Sequence, residues 1–207
     1  DDAPPDPAPV AVPALWRWQA LVVLTTTGWV SIAAEVGWTK IVSIITGATI
    51  YGFATILVSF LLGIALGAWL ARSRLERLRR PELWMIGGLL GLGFALHLTR
   101  AGLGAVPAMQ MQARAVAASP LAELWLKSGL SFLLVLVPTL ILGALFPLSL
   151  KLYCATTEGI GDRVGRAYAV NTIAGVVGSL SAGLWIIPHF GTDWLLAVLA
   201  SATIAVA

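Results

Sequence analysis

Apolar residues come in long runs, and polar ones gather between them. Six such runs are expected to form helices, at about residues 18–45, 49–71, 83–103, 121–153, 167–187 and 193–207. Each approaches or exceeds the roughly 20 apolar residues that a helix needs to cross a bilayer core of about 30 Å. The first is over-long and is expected to be tilted, bent or broken near Gly37. Pro138 and Pro147 should kink the fourth, and Pro188 should end the fifth. The segment from Gly104 to Pro120, with Met109-Gln110-Met111-Gln112, is long enough for a short helix lying at the interface.

Composition agrees with this pattern. Of 207 residues, 58% are hydrophobic and 11% charged, whereas a soluble domain carries about 25% charged residues. A water-soluble core and a disordered chain are both excluded. The reading is an all-α integral membrane protein, since every backbone polar group in lipid must be satisfied within the segment. Residues 1–15 hold five prolines and three aspartates and lack the basic start of a secretory signal. They are expected to be a flexible tail ahead of a transmembrane domain over 16–207. The absent initiator methionine is expected of a processed or truncated product, and the apolar run at the other end of a piece of something longer. The single cysteine, Cys154, excludes an internal disulfide.

Basic residues set the orientation. Arg17, the loop residues Arg72, Arg74, Arg77, Arg79 and Arg80, and Lys151, Arg163 and Arg166 put nine of the thirteen basic residues on one side. Arg100, Arg114 and Lys127 fall on the other, and Lys40 near the far end of the first span. The N-terminus and both basic loops should therefore face the cytoplasm. The arginines from Arg72 to Arg80 are candidates for binding anionic lipid headgroups, beside their role in topology. Trp16, Trp18, Trp84, Trp125 and Trp194 fall at expected span ends, as an interfacial aromatic belt requires. Gly63-x-x-x-Gly67, Gly87-x-x-x-Gly91 and Ser179-x-x-x-Gly183 would let helix backbones approach closely, within the chain, at a dimer face or around a ligand cleft.

Glu35 carries the strongest hint of function. It lies among Val30, Ile32, Ala33, Ala34 and Val36, with Lys40 five residues on. A charge at a helix centre in lipid costs about 2.5–3.5 kcal/mol even on insertion scales, so such residues face a protein interior or a wet cavity. Pairing with Lys40 would need a distortion, for which Gly37 offers a place; a partner on another helix is the alternative. Asn171 and Thr172 are polar within the fifth span, where an amide must bond a neighbouring helix backbone or a ligand. His97, four residues after Gly93, is a packing histidine or, alternatively, a pigment ligand. No spacing of a metal site appears, no catalytic triad has local support, and nucleic-acid binding is not indicated.

Two stretches resemble a known family. One is Glu35-x-x-Trp38-Thr39-Lys40, followed by Gly47, Thr49, Tyr51, Phe53 and then Gly63 and Gly67. The other is Pro138-Thr139, Gly143, Phe146-Pro147, followed by Gly165-Arg166-x-Tyr168-x-x-Asn171-Thr172 with Gly175 and Gly178. Both are similar to the membrane domain of bacterial spermidine synthase-like membrane proteins, in which a major-facilitator-like bundle is fused to an aminopropyltransferase-like domain. The resemblance covers most of residues 28–191. It implies a six-helix, major-facilitator-like half bundle in a bacterial inner membrane. The family has arginine where this chain has Lys40, which keeps the charge and loses the bidentate fork.

The soluble catalytic domain has no counterpart here: no glycine-rich loop follows a strand. The expectation is a bundle that is not catalytic on its own and that binds or passes a small polar or amphiphilic solute at Glu35, Thr39, Lys40, Tyr51, Asn171 and Thr172. Alternatives are an accessory subunit of a larger membrane complex, contacting pigment or lipid, and the membrane part of an aminopropyltransferase-like enzyme completed outside these residues. Expected partners are membrane lipids and other membrane subunits or a second copy. Bound lipid is expected, and no cofactor unless a pigment sits on His97.

Overall fold

A computed structural model describes residues 13–47, 49–75, 78, 80–154 and 159–207; of Ala14 and Leu75 it describes the backbone. The described residues are helical, with no strand among them. The helices are α1 (Ala14–Thr46), α2 (Ile50–Leu75), α3 (Pro81–Gly102), α4 (Val106–Val116), α5 (Pro120–Tyr153), α6 (Ile160–Leu180) and α7 (Ile187–Val206). A short 3₁₀ turn, Leu103–Ala105, joins α3 to α4, and a π-helical segment, Ser181–Ile186, joins α6 to α7. Five helical stretches are long and apolar enough to cross a membrane: 15–46, 50–74, 81–116, 120–153 and 160–206.

Local sequence accounts for where these helices turn. Gly47, at φ 79°, takes the left-handed conformation that ends α1, and α2 begins three residues later. Pro81 and Pro120 sit in the first turns of α3 and α5, where a missing N–H costs nothing. The Ser119 side chain caps α5 by accepting from the Ala122 N–H at 3.2 Å. The short helix expected between Gly104 and Pro120 is α4, tied to the end of α1 by Gln110 Nε2, which donates to the Ile44 carbonyl at 2.6 Å.

The expected break at Gly37 and the expected end at Pro188 need correcting. The α1 helix runs unbroken through Gly37, whose missing side chain makes room for Leu195 of α7. The α5 helix continues through both Pro138 and Pro147. Pro188 does not end the fifth stretch, because the π-helical turns before it widen the helix where the ring would meet the preceding carbonyls. The backbone leaves the helix instead at Gly191, at φ 84° and ψ 173°, a region open essentially to glycine. Beyond it the chain returns along α3. Arg100 Nε donates to Asp193 Oδ1 at 2.9 Å near one end of this contact, and Gly93 faces Thr203 and Ile204 deeper in.

Helices α1 and α5 occupy the middle. The α1 helix packs on α6, α5 and α7, and α5 on α2, α1 and α3. The core joins Val30, Ala34 and Trp38 of α1, Leu89, Leu92 and Leu96 of α3, Val135, Leu142 and Leu145 of α5, and Leu195, Leu196 and Leu199 of α7. Around it, large apolar side chains are bare, among them Phe53, Leu61, Phe94, Leu98, Leu133, Val177 and Leu184. Helices apolar on every side belong in lipid, since water tolerates no apolar patch of this extent. Trp18, Trp69 and Trp84 are exposed at the end of the bundle that carries the arginines, and Trp125, Trp185 and Trp194 toward the other.

Two helix crossings are very close. A Cβ at Gly63 would overlap Thr139, at Gly67 the Leu140 carbonyl, and at Gly143 the backbone of Ile64, so α2 and α5 touch backbone to backbone. Likewise, a Cβ at Gly28 would overlap Asn171 and one at Gly178 the Trp29 carbonyl, joining α1 to α6. Gly87 and Gly91 do not work this way. None of the described residues lies within 4 Å of a Cβ built at Gly87, and Gly91 meets Ile141 at an ordinary 3.8 Å.

Candidate functional site

The middle helix α1 carries polar residues at every fourth position: Thr27, Ser31, Glu35, Thr39 and Ser43. At 3.6 residues per turn this spacing makes one slowly drifting stripe along one face. Thr27 is buried and the other four are half-buried. Hydroxyls in lipid need acceptors, and these find them one turn back. Thr27 Oγ1 donates to the Val23 carbonyl at 2.8 Å, Thr39 Oγ1 to that of Glu35 at 2.8 Å, and Ser43 Oγ to that of Thr39 at 2.6 Å.

The stripe meets α5 and α6 at its lower part. Thr27 and Ser31, with Ile64, Gly143, Phe146, Pro147 and Asn171, line a cleft of about 170 Å³. Ser31 and Asn171 also line a groove of about 340 Å³ between α1 and α6, together with Gly28, Thr172, Gly175 and Ser179. Asn171 Nδ2 donates across the crossing to the Leu24 carbonyl at 2.9 Å. Trp29 Nε1 adds a second link, donating to Ser181 Oγ at 3.1 Å. Phe146 packs edge-on against Tyr168, ring centroids 5.0 Å apart, where α5 and α6 leave the cleft toward their basic ends.

The residues expected to bind a solute fall into two groups. Asn171 and Thr172 meet α1 at Gly28 and Ser31. Glu35 and Thr39 lie one and two turns further along the same α1 stripe. Lys40 and Tyr51 are elsewhere. Lys40 is exposed near the end of α1, about 140° around the undistorted helix from Glu35, and no ion pair joins the two. Tyr51 is exposed at the start of α2, where it lines a separate groove of about 530 Å³ with Thr55, Trp125, Gly129 and Phe132. Trp38 of the first motif is a fully buried core residue. The sequence reading missed Thr27, Ser31 and Gly28, and singled out Ser179 only within a small-residue motif; the four-residue repeat of hydroxyl side chains in α1 was the signal available for the first two.

His97 is half-buried on α3. The room that Gly93 could leave beside it is taken by Thr203 and Ile204 of α7. His189 Nδ1 lies 2.8 Å from the Trp185 carbonyl, a bond the ring makes by donating. No group of three or more metal-ligating side chains occurs among the described residues. Of the arginine loop, Arg72 and Arg74 are exposed in the last turn of α2 and Arg80 is exposed just before α3; Arg77 and Arg79 lie outside the described residues, as do residues 1–12 of the expected tail. At the same end, Cys154 is half-buried after α5, within electrostatic reach of Arg17 and Arg163. Burial pushes its thiol above the ordinary value, against a smaller downward pull from the two guanidinium groups.

Comparison with protein-family models, with curated proteins and with solved structures returns no match to this chain.

Proposed function

We propose that this chain is a six-pass, major-facilitator-like half bundle that binds or passes a small polar or amphiphilic solute along the polar face of α1. The observation that carries this reading is the convergence of Thr27, Ser31 and Asn171 on one cleft inside an otherwise apolar bundle. Glu35 extends the stripe, and an acid at that depth is functional by default. The reading is also supported by the residues that resemble the spermidine synthase-like membrane proteins. Glu35 and Thr39 of the first stretch belong to the stripe; Gly143, Phe146, Pro147 and Asn171 of the second line the cleft. The sixth pass is the stretch after Gly191, which runs back along α3. The resemblance supports a bacterial inner membrane, and the distribution of arginine and lysine supports an N-terminus in the cytoplasm.

The test is solute uptake into proteoliposomes, with a panel of small cationic, anionic and zwitterionic solutes, comparing the native chain with Glu35→Gln and Ser31→Ala. Selective uptake that falls at least tenfold in Glu35→Gln supports the reading. Uptake or binding unchanged by both substitutions sinks it.

A second reading, an accessory subunit, is favoured by one observation. The groove with Ser31, Thr172 and Ser179 opens at the side of the bundle, and Thr172 is exposed there. A neighbouring membrane chain or a second copy would cover these hydroxyls. This reading expects stoichiometric partners after mild solubilisation of native membranes. A chain that purifies alone as a monomer excludes it.

A further inference from the structure

At the basic end of the bundle, α2, α3 and α5 splay around a groove of about 580 Å³. Its walls are Leu70, Leu140, Leu145 and Leu148, and its floor is made by Gly67, Gly87 and Gly88. Gly87 is the informative residue. It sits in a glycine pair of the kind that usually brings helices together, yet none of the described residues lies within 4 Å of where its Cβ would be. The gap it leaves is open. At the rim stand Arg74 and Trp84, both exposed. Arg72, about 200° around α2 from Arg74, and Arg80, just before α3, are exposed at the same end but do not line the groove.

We propose that this groove holds one anionic phospholipid, with its phosphate at Arg74 and one acyl chain lying over Gly87 and Gly67. Depth supports the match. Trp and Arg mark the headgroup level of a bilayer. Gly67 lies seven residues below Arg74 and Gly87 six below Pro81, about 10 Å of helix in each case. A headgroup at Arg74 therefore puts the first part of its acyl chain against the glycines. Charge selects the lipid: the rim presents the Arg74 guanidinium, which pairs with phosphate in two-pronged fashion and gains from an added net negative charge. The carboxylate of Glu82, in the first turn of α3, does not line the groove.

The experiment uses the full chain in nanodiscs, with phosphatidylglycerol or phosphatidylcholine brominated on the acyl chain. Bromine quenches nearby tryptophan, and the Trp84 contribution is the difference between the native chain and Trp84→Phe. Brominated phosphatidylglycerol should quench Trp84 at about fivefold lower mole fraction than brominated phosphatidylcholine, the preference expected of one basic side chain near the surface. Arg74→Gln should make the two lipids equal. Gly87→Leu, whose Cβ meets none of the described residues within 4 Å, should extend into the groove and reduce quenching by both lipids while helicity and elution volume stay unchanged. Equal quenching by the two lipids in the native chain overturns the proposal. So does undiminished quenching in a folded Gly87→Leu protein, or co-purification of a protein that shields Trp84 from both lipids. Should Gly87→Leu fail to fold, the Arg74→Gln comparison decides by itself.

Discussion

Asn171 Nδ2 donates to the Leu24 carbonyl at 2.9 Å, and the next turn of α1 presents Gly28 to the Asn171 backbone. The side chain thus bonds the helix that its own backbone touches. The two contacts differ in weight. An interhelical hydrogen bond in a membrane is worth about 0.6 kcal/mol on average and rarely above about 1.7. Overpacking a tight contact costs about 1–3 kcal/mol, and here the clash is with backbone. Asn171→Leu should therefore lower stability by under about 1 kcal/mol, and Gly28→Val by more. Unfolding in mixed detergent micelles with increasing SDS measures both. A Gly28→Val protein as stable as Asn171→Leu would mean that α1 and α6 do not cross at this point.

Two glycines of α5 make a sharper contrast, because they share a helix. A Cβ at Gly143 would overlap the Ile64 carbonyl and Cα; one at Gly129 would meet nothing within 4 Å. Gly143→Ala should destabilise by about 1–3 kcal/mol through forced separation of α2 and α5. Gly129→Ala should be neutral or slightly stabilising, since alanine is the better helix former by up to about 1 kcal/mol. The same SDS titration reports both. Equal loss in the two variants would contradict the α2–α5 crossing.

The helices were legible in the sequence and the seams between them were not. Apolar runs put α2 at 49–71 and α5 at 121–153, close to Ile50–Leu75 and Pro120–Tyr153, because lipid leaves the backbone few alternatives to a helix. Breaks were harder to place. Gly37 and Pro188 carry the usual signals and break nothing, for a neighbour's side chain fills one position and a π-helical segment accommodates the other. Gly191, one glycine among 21 in the chain, carries the turn. Spacing also failed to tell a packing glycine from an open one: Gly63-x-x-x-Gly67 meets α5, while Gly87-x-x-x-Gly91 lies beside a groove. What decides between them is the partner helix, which no local pattern encodes. For the site, Asn171 was visible as an amide in an apolar run. Its meeting with Thr27 and Ser31 depends on α1 and α6 crossing, and so on Gly28 and Gly178.

Cys154 gives a probe of sidedness. Its thiol is held above the ordinary value by burial. A raised value means less thiolate at neutral pH than in a free cysteine, and thiolate is the reacting form. Alkylation by a membrane-impermeant maleimide should therefore be slow at pH 7 and accelerate with rising pH, continuing beyond the pH at which a free thiol levels off. Arg17→Ala removes a cation that favours the thiolate, so it should slow the reaction further. With the N-terminus in the cytoplasm, labelling is expected in inside-out vesicles and not in right-side-out ones. The reverse pattern would invert the orientation derived from the basic loops.

Gly191 sits where a side chain is least tolerated, and the path of α7 depends on it. Its φ of 84° and ψ of 173° turn the chain out of the preceding helix, and Asp193 then engages Arg100 at 2.9 Å. A non-glycine residue held in such a region costs about 1–3 kcal/mol. Gly191→Ala should destabilise by that amount in the SDS titration. Gly104→Ala, at a glycine without positive φ and with no neighbour within 4 Å, should change little. The turn also fixes topology. If the stretch from Thr192 recrosses the membrane, a fluorescent protein fused after Ala207 lies on the same side as Asp1 and folds in the cytoplasm. An alkaline phosphatase fusion at the same point should then be inactive. Active phosphatase there would leave the chain with five crossings and remove the sixth pass from the proposed half bundle.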